Sequence, residues 1–406
     1  MPGPADEVLF LAHRIPWPPD RGDRIRSWHL LRALAARAKV HCGCLVEGKV
    51  LPGQVEAIAG LAENWCLARR SPSLGLAAVA ALATGRPISV AAFSSFQLRQ
   101  WVREMLDTGR IGTIFAFSGQ MAQYVPDDFA GRVVMDFVDV DSAKFAAYAD
   151  TARSWMVRAV HAREARVLSQ FEQRAAHRAD VSLLVTPQER DLFVSRMVDP
   201  GRCAVVALGN GIDADHFSPD AVKPDVRGGR PLIVFTGQMD YAPNVAAVIL
   251  FAREVMPVIR AHHPQAGFAI VGRAPSAEVR ALDGVDGTLV TGEVADVRPW
   301  LAAADVVCAP LQIARGVQNK VLEAMAMARP VVLTGAAATG IDATDGDHFA
   351  IAEGAEALAA RVLALIADRE NARAMGTAAR RWVLAHAGWD QVLAPLPMIM
   401  GWADAA

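Results

Sequence analysis

No apolar run in this 406-residue sequence is long enough to cross a bilayer. The longest, LGLAAVAALATG from Leu74 to Gly85, falls short of the roughly 20 residues that a spanning helix needs. It reads as a core helix, with a lipid-meeting surface as the other reading. There is no charge excess of either sign: the formal net charge is −2, so no global field points to nucleic acid as a partner. Cysteine is sparse, and Cys42, Cys44, Cys66, Cys203 and Cys308 lack the paired spacing of a disulfide framework or a zinc site. A reducing, cytoplasmic setting is the simplest expectation. The N-terminal MPGPADEVLFLAHR lacks the basic start and long apolar run of a signal peptide, and VLFLA reads as a first buried strand.

Several catalytic signatures are also missing. There is no G-x-x-x-x-G-K-[ST], no H-E-x-x-H and no G-x-S-x-G, which removes P-loop ATPases, zincins and serine hydrolases as leading readings. GNGIDA (209–214) imitates a dinucleotide fingerprint, but HFSPD follows it where a helix would have to begin. Asp136, Asp139 and Asp141 stand close together, yet no second acidic cluster with ligand spacing accompanies them, so no metal is expected.

What is present is a rhythm. Short apolar runs bounded by turns, at 8–12, 40–46, 113–118, 132–139, 181–186 and 203–208, alternate with helical patterns. Residues 209–230 are dense in Gly, Pro and Asp and read as a linker. The alternation then restarts with apolar runs at 231–237, 268–272, 288–292, 305–311, 330–335 and 348–352. The pattern predicts an α/β chain of two doubly wound, parallel-sheet domains. The expected boundaries are 1–208, a linker at 209–230, 231–385, and a helical tail at 386–406 packing back towards the first domain. Ligands in such sheets bind beyond the carboxyl ends of the strands, so a cleft between the domains is the expected site. The helical stretch from Ser154 to Ala179 is rich in arginine, which suits a solvated face or a surface near anionic headgroups.

The residues just after the strands carry the functional reading. Gly22 sits where the first loop turns into a helix, with Asp23 as a capping type and Arg21, Arg24 and Arg26 nearby. A helix N-terminus of this kind suits a phosphate. One of Asp136, Asp139 and Asp141 is a candidate for sugar hydroxyls, with helix capping as the other reading. Gly237 permits close backbone approach, and Asp240 and Asn244 behind it are capping types or ligand contacts. In RGVQNKVLEAMAMARPVVL, Lys320 and Glu323 lie three apart on one helix face between two apolar strands. A carboxylate so placed wants a polar partner that offsets its desolvation, and two ribose hydroxyls provide one. Lys320 then complements a diphosphate as a point charge.

Three segments in this order resemble retaining glycosyltransferases of the GT-B fold, family 4: NGIDADHFSP, GEVADVRPWLAAADVVCAPL and GVQNKVLEAMAMARPVVLT. More narrowly, HRIPWPPDRGDRIRSWHLLRAL, DFVDVDS, TGQMDYAPN and GVQNKVLEAMAM resemble the sugar transferases that accompany exosortase-type exopolysaccharide clusters. The resemblance implies a nucleoside diphosphate sugar as donor substrate, no further cofactor, and a glycan or lipid-linked acceptor. It permits peripheral contact with the inner face of the membrane. It implies that Glu323 binds the nucleotide ribose, that Gly22 and Gly237 line the donor phosphates, that Val294 meets the base through its backbone, and that Gly316 lies in the donor loop. Two departures stand out. Arg315 occupies the place of the first glutamate of the family's pair, and Gln238, Met239 and Asp240 replace a frequent basic pair. The diphosphate charge then falls to Lys320 with Arg315 as helper, and Asp139 stands near the place of a family histidine, with an acceptor or sugar role. A nucleotide-sugar epimerase of the same fold and a non-catalytic sugar-nucleotide binder are the alternatives.

Overall fold

The computed structural model describes residues 7–70, 74–152, 154–224, 230–314 and 317–402. They form two compact units, one of residues 1–210 with 393–406, the other of residues 211–392.

The first unit is built on a seven-stranded sheet. Its strands are β1 (Glu7–Ala12), β2 (Val40–Val46), β3 (Asn64–Arg69), β4 (Ile111–Phe117), β5 (Arg132–Val138), β6 (Val181–Leu184) and β7 (Ala204–Ala207). The spatial order is β3-β2-β1-β4-β5-β6-β7 and every pairing is parallel. β1 and β2 are apolar on both faces because helices cover both, and all but the first residue of β1 are fully buried. Chain order reverses between β1 and β4, the point at which ligands bind in sheets of this kind.

The unit's interior also holds charge. Arg26, on the Gly22–Ala35 helix, is 1% exposed and donates from Nε to Asp136 Oδ2 of β5 at 2.8 Å. Its Nη1 donates to Gly209 O at 2.7 Å and Asn210 Oδ1 at 3.0 Å. Glu164 and Glu172 of the long Trp155–Arg178 helix are buried too. Glu164 accepts from Ile88 N, Ser89 N and Ser89 Oγ, satisfying the free amides at the start of the Ile88–Ala91 helix. The arginine-rich helix is therefore anchored by its acids, while Trp155, Met156, Val157 and Val160 in its first turns are exposed. The expectation of a core helix for Leu74–Thr84 needs correction: Ala77 and Ala81 are buried, but Val79 and Leu82 face outward.

The second unit carries six strands: β8 (Leu232–Thr236), β9 (Gly267–Val271), β10 (Thr288–Gly292), β11 (Val306–Ala309), β12 (Val331–Leu333) and β13 (Ala350–Ile351). Their order is β10-β9-β8-β11-β12-β13, again wholly parallel, with the reversal between β8 and β11. The segment expected as a free linker divides. Arg26 holds residues 209 and 210 to the first unit, whereas from Gly211 the chain packs as part of the second. Ile212 N donates to Ala387 O at 2.8 Å, and Arg380 of the Arg369–His386 helix donates to Phe217 O at 3.0 Å. The expected tail divides as well. Trp389 packs against Gly211, and from Leu393 the chain joins the first unit, where Arg132 Nε donates to Ile399 O at 2.9 Å.

Candidate functional site

In the second unit three neighbouring strands end on glycine: Gly237 after β8, Gly272 after β9 and Gly292 closing β10. They are laced by Gly237 N donating to Val271 O at 3.0 Å and Gly272 N donating to Gly292 O at 3.2 Å. Gly272 has φ +153°, and a Cβ there would overlap the Gly237 carbonyl. Only glycine fits so close a backbone approach. The result is a floor without side chains on one flank of the β8/β11 reversal.

The helix Asn319–Ala326 stands on the other side, after β11. Val321, Leu322, Ala324, Met325 and Ala326 are buried, which leaves Lys320 and Glu323 on the less covered face. Lys320 reaches across to the end of β8. Its Nζ donates to Asn244 Oδ1 at 2.5 Å and lies 4.3 Å from the centroid of the Phe235 ring. Asn244 is fixed in turn by donating from Nδ2 to Gln238 O at 2.9 Å. A Cβ added at Gly237 would come within 2.9 Å of Asn244 Nδ2 and 3.2 Å of Lys320 Nζ, so this glycine borders the ammonium directly. Lys320, Glu323 and Gly237 thus form one cluster with Asn244 and Phe235.

Burial works against both charges of this cluster. Burial pushes the Glu323 carboxyl up to about 7, with only the Lys320 charge drawing it down. Burial pulls the Lys320 ammonium down to about 8, opposed by Glu323 and by Cys308 of β11. Among the described residues no hydrogen bond to the Glu323 carboxyl contributes to its ionisation. A part-buried carboxylate with no donor among the described residues and an ammonium near its titration point are together costly in an apolar setting, and ligand hydroxyls and phosphate oxygens would relieve both.

Val294, after β10, is partly buried against the core. Among the described residues its backbone amide and carbonyl make no hydrogen bond outside regular structure, so both are available to a ligand edge. Arg273, after Gly272, is exposed and donates from Nη2 to Gln238 Oε1 at 3.1 Å. It is a cation at the strand ends that the sequence reading passed over. Arg315 and Gly316 lie outside the described residues.

The remaining site candidates belong to the first unit. Gly22 begins the Gly22–Ala35 helix, with open space where a Cβ would stand. The cations expected there to meet a phosphate are already occupied. Arg26 is buried against Asp136, Arg24 pairs with Asp20 at 3.1 Å, and Arg21 pairs with Asp23 at 2.8 Å. Asp23 caps nothing: it sits in the helix's first turn between Arg14, Arg21 and His13, whose hydrogen bonds and charges hold it well below the usual carboxylate range against its burial. Asp240 likewise is not the cap of the Ala242–Leu250 helix, whose N-cap is Tyr241, and accepts instead from Gln238 Nε2 at 2.6 Å. Asp139 follows Val138, a β-branched residue at φ +70°. Its carboxylate is paired with Lys144 at 2.8 Å, and Lys144 also meets Asp141 at 3.1 Å. Asp139 is thus an ion-paired acid rather than a free one.

Two wholly parallel, doubly wound sheets of this kind define the class, and comparison with solved structures identifies the fold as GT-B. Sucrose-phosphate synthase from Thermosynechococcus elongatus aligns with a TM-score of 0.63 at 15% identity, over 97% of this chain and 98% of that one. HepE of Anabaena, solved in complex with UDP and glucose, aligns with a TM-score of 0.61 at 13% identity, over 98% and 99%. More particularly, residues 230–368, which hold the Lys320 cluster, match the family model "Glycosyl transferases group 1". A GDP-mannose-dependent alpha-(1-6)-phosphatidylinositol monomannoside mannosyltransferase from Mycobacterium tuberculosis is 30% identical over 256 residues. That match spans 58% of this chain and 65% of the relative's length.

Proposed function

We propose that the protein is a glycosyltransferase that moves a sugar from a nucleoside diphosphate donor to a glycan or lipid-linked acceptor, with retention of configuration and without a metal. The observation that carries the reading is the Lys320–Glu323 pair. It is part-buried, with no hydrogen-bond donor to Glu323 among the described residues; it stands at the β8/β11 reversal beside a glycine floor and lies within the segment similar to group 1 glycosyltransferases. In this reading Glu323 accepts from the two ribose hydroxyls, and Val294 offers its backbone to the base. Lys320 and the first amides of the Asn319–Ala326 helix take the charge of the departing diphosphate. The glycines at 237 and 272 let that diphosphate approach the backbone. Arriving phosphate charge favours the ammonium form of Lys320, so binding itself prepares the cation that the leaving group needs. Arg315 and Gly316 are assigned to the donor loop, and Gly22 and Asp139 to the donor phosphates and the acceptor side.

An acceptor in exopolysaccharide synthesis is the finer part of the proposal, supported by the resemblance of the HRIPWPPDRGDRIRSWHLLRAL and TGQMDYAPN segments. Peripheral contact with the inner face of the membrane belongs with it, supported by exposed Trp155, Met156 and Val160 beside Arg158. The test is a thermal-shift panel of UDP, GDP and their sugars, followed by a transfer assay with the nucleotide that binds. A ligand at a hundred times its Kd stabilises by about 2.7 kcal/mol. The reading is lost if no nucleotide raises the Tm, or if Glu323→Ala responds as the wild type does.

A further inference from the structure

The second unit has a further recess, at the amino ends of its strands and so at the opposite edge of the sheet from the Lys320 cluster. Pro231 before β8, Asp305 before β11 and Pro330 before β12 contribute to a pocket of about 170 Å³, which Arg329, Arg369 and Arg373 also line. Its charge is unbalanced. The one carboxylate in the wall, Asp305, is already engaged: its Oδ2 accepts from Leu232 N at 2.8 Å and pairs with Arg230 at 3.3 Å. Arg230 is tied down further by donating to Ala303 O at 2.6 Å. The Asp305 charge also supports the Arg329 guanidinium, and Arg369 and Arg373 add two further cations to the wall of the hollow. Among the described residues no carboxylate lies within ion-pair distance of Arg329, Arg369 or Arg373.

Arg329 is the fixed member of the three. It follows Ala328, held at φ +53° in the turn after the Asn319–Ala326 helix, and its Nη1 donates to Ala304 O at 3.2 Å. Its Nε is buried and has no partner. The turn cannot drift, because Gly376 packs so tightly on it that a Cβ there would overlap the Ala328 carbonyl. Arg369 and Arg373 come from successive turns at the start of the 18-residue Arg369–His386 helix, whose N-cap Asp368 accepts from Asn371 N at 3.0 Å. Three arginines lining one recess, one of them held by the backbone, are the elements of an anion site.

We propose that this pocket binds a small phosphorylated anion. Guanidinium forks match phosphate oxygens bidentately, and the volume admits a pyrophosphate or a sugar phosphate rather than a polymer. Occupancy neutralises the arginine charge in the wall. The site does not depend on the donor reading.

The experiment is calorimetric titration of pyrophosphate into the full-length protein at constant ionic strength, compared with Arg369→Gln/Arg373→Gln and with Lys320→Ala. Both arginines are exposed at the start of their helix, so the double variant should fold, which its Tm confirms. Binding should weaken at least about tenfold in the arginine variant and persist in Lys320→Ala, which separates this pocket from the donor cluster. Vesicles containing phosphatidic acid form the second arm. Sedimentation with them that the arginine variant loses, with free pyrophosphate silent, would assign the phosphate to a lipid headgroup. Binding of neither probe overturns the proposal. So does binding that the arginine variant keeps, or that only Lys320→Ala abolishes.

Discussion

Replacing Glu323 with glutamine should make the unliganded protein more stable and leave it unable to hold its donor. The argument rests on where the carboxyl sits. Burial lifts it from its ordinary 4.5 to about 7, so between those values the folded state binds more protons than the unfolded chain does. Stability therefore falls as pH rises through that interval. At about 1.4 kcal/mol per pH unit the full cost of ionising Glu323 is about 3 kcal/mol above pH 7. Glutamine keeps the shape and removes that cost. Part of the gain is given back, because Lys320 loses the charge that supports its ammonium. The net gain at pH 8 is thus about 1–3 kcal/mol, or about 2–4 °C in Tm per kcal/mol for a unit of this size. At pH 5 the native carboxyl is largely protonated and the cost of Glu323 shrinks below about 1 kcal/mol. Thermal unfolding of both proteins at pH 5 and pH 8, with and without nucleotide, reads all of this. The reasoning is refuted if the variant is less stable than wild type at pH 8, if the difference is the same at both pH values, or if nucleotide stabilises the two equally.

Further outcomes follow from the geometry of the two units. Lys320→Met should weaken binding of a nucleoside diphosphate more than that of the nucleoside. It should also remove the rise in stability that wild type shows as pH climbs from about 8 towards 10.5, where the native lysine has already lost its proton and the unfolded one has not; calorimetry and pH-dependent melting check both. Gly272→Ala forces a Cβ into the Gly237 carbonyl at a φ of +153°, and should cost about 2 kcal/mol or more of stability, read by urea unfolding. Asp136→Ala strands the Arg26 guanidinium in the core and should cost about 3–5 kcal/mol. Arg26→Met/Asp136→Leu together should cost less than Asp136→Ala alone, since burial already raises the Asp136 carboxyl and disfavours its charge.

The strands that the sequence revealed are those buried on both faces. VLFLA, VHCGCLV and PLIVFTG read as continuous apolar runs because helices cover both sides of a parallel sheet. β3 was not legible. NWCLAR is an edge strand that buries Cys66 and Ala68 and shows Asn64, Trp65 and Arg69 to solvent, so no apolar run marks it. The pairing of Lys320 with Glu323 could be read from an i,i+3 spacing, whereas its bond to Asn244 joins residues 76 apart, which no local pattern encodes. Arg26 shows the opposite limit. As a sequence letter near a glycine loop it looked like a phosphate ligand, and only the topology that sets the Gly22–Ala35 helix against β5 makes it a buried partner of Asp136. Capping was similarly ambiguous: Asp23 and Asp240 have the right chemistry, but neighbouring donors claim their side chains first.

The most direct measurement is a crystal of the protein soaked with the nucleoside diphosphate that best raises its Tm. The account predicts the ribose hydroxyls within hydrogen-bond distance of the Glu323 carboxylate, and the diphosphate over Gly237 beside the Lys320 ammonium, with Lys320 turned at least partly away from Asn244. A nucleotide bound elsewhere, with Glu323 still unpartnered and Lys320 still on Asn244, would contradict it.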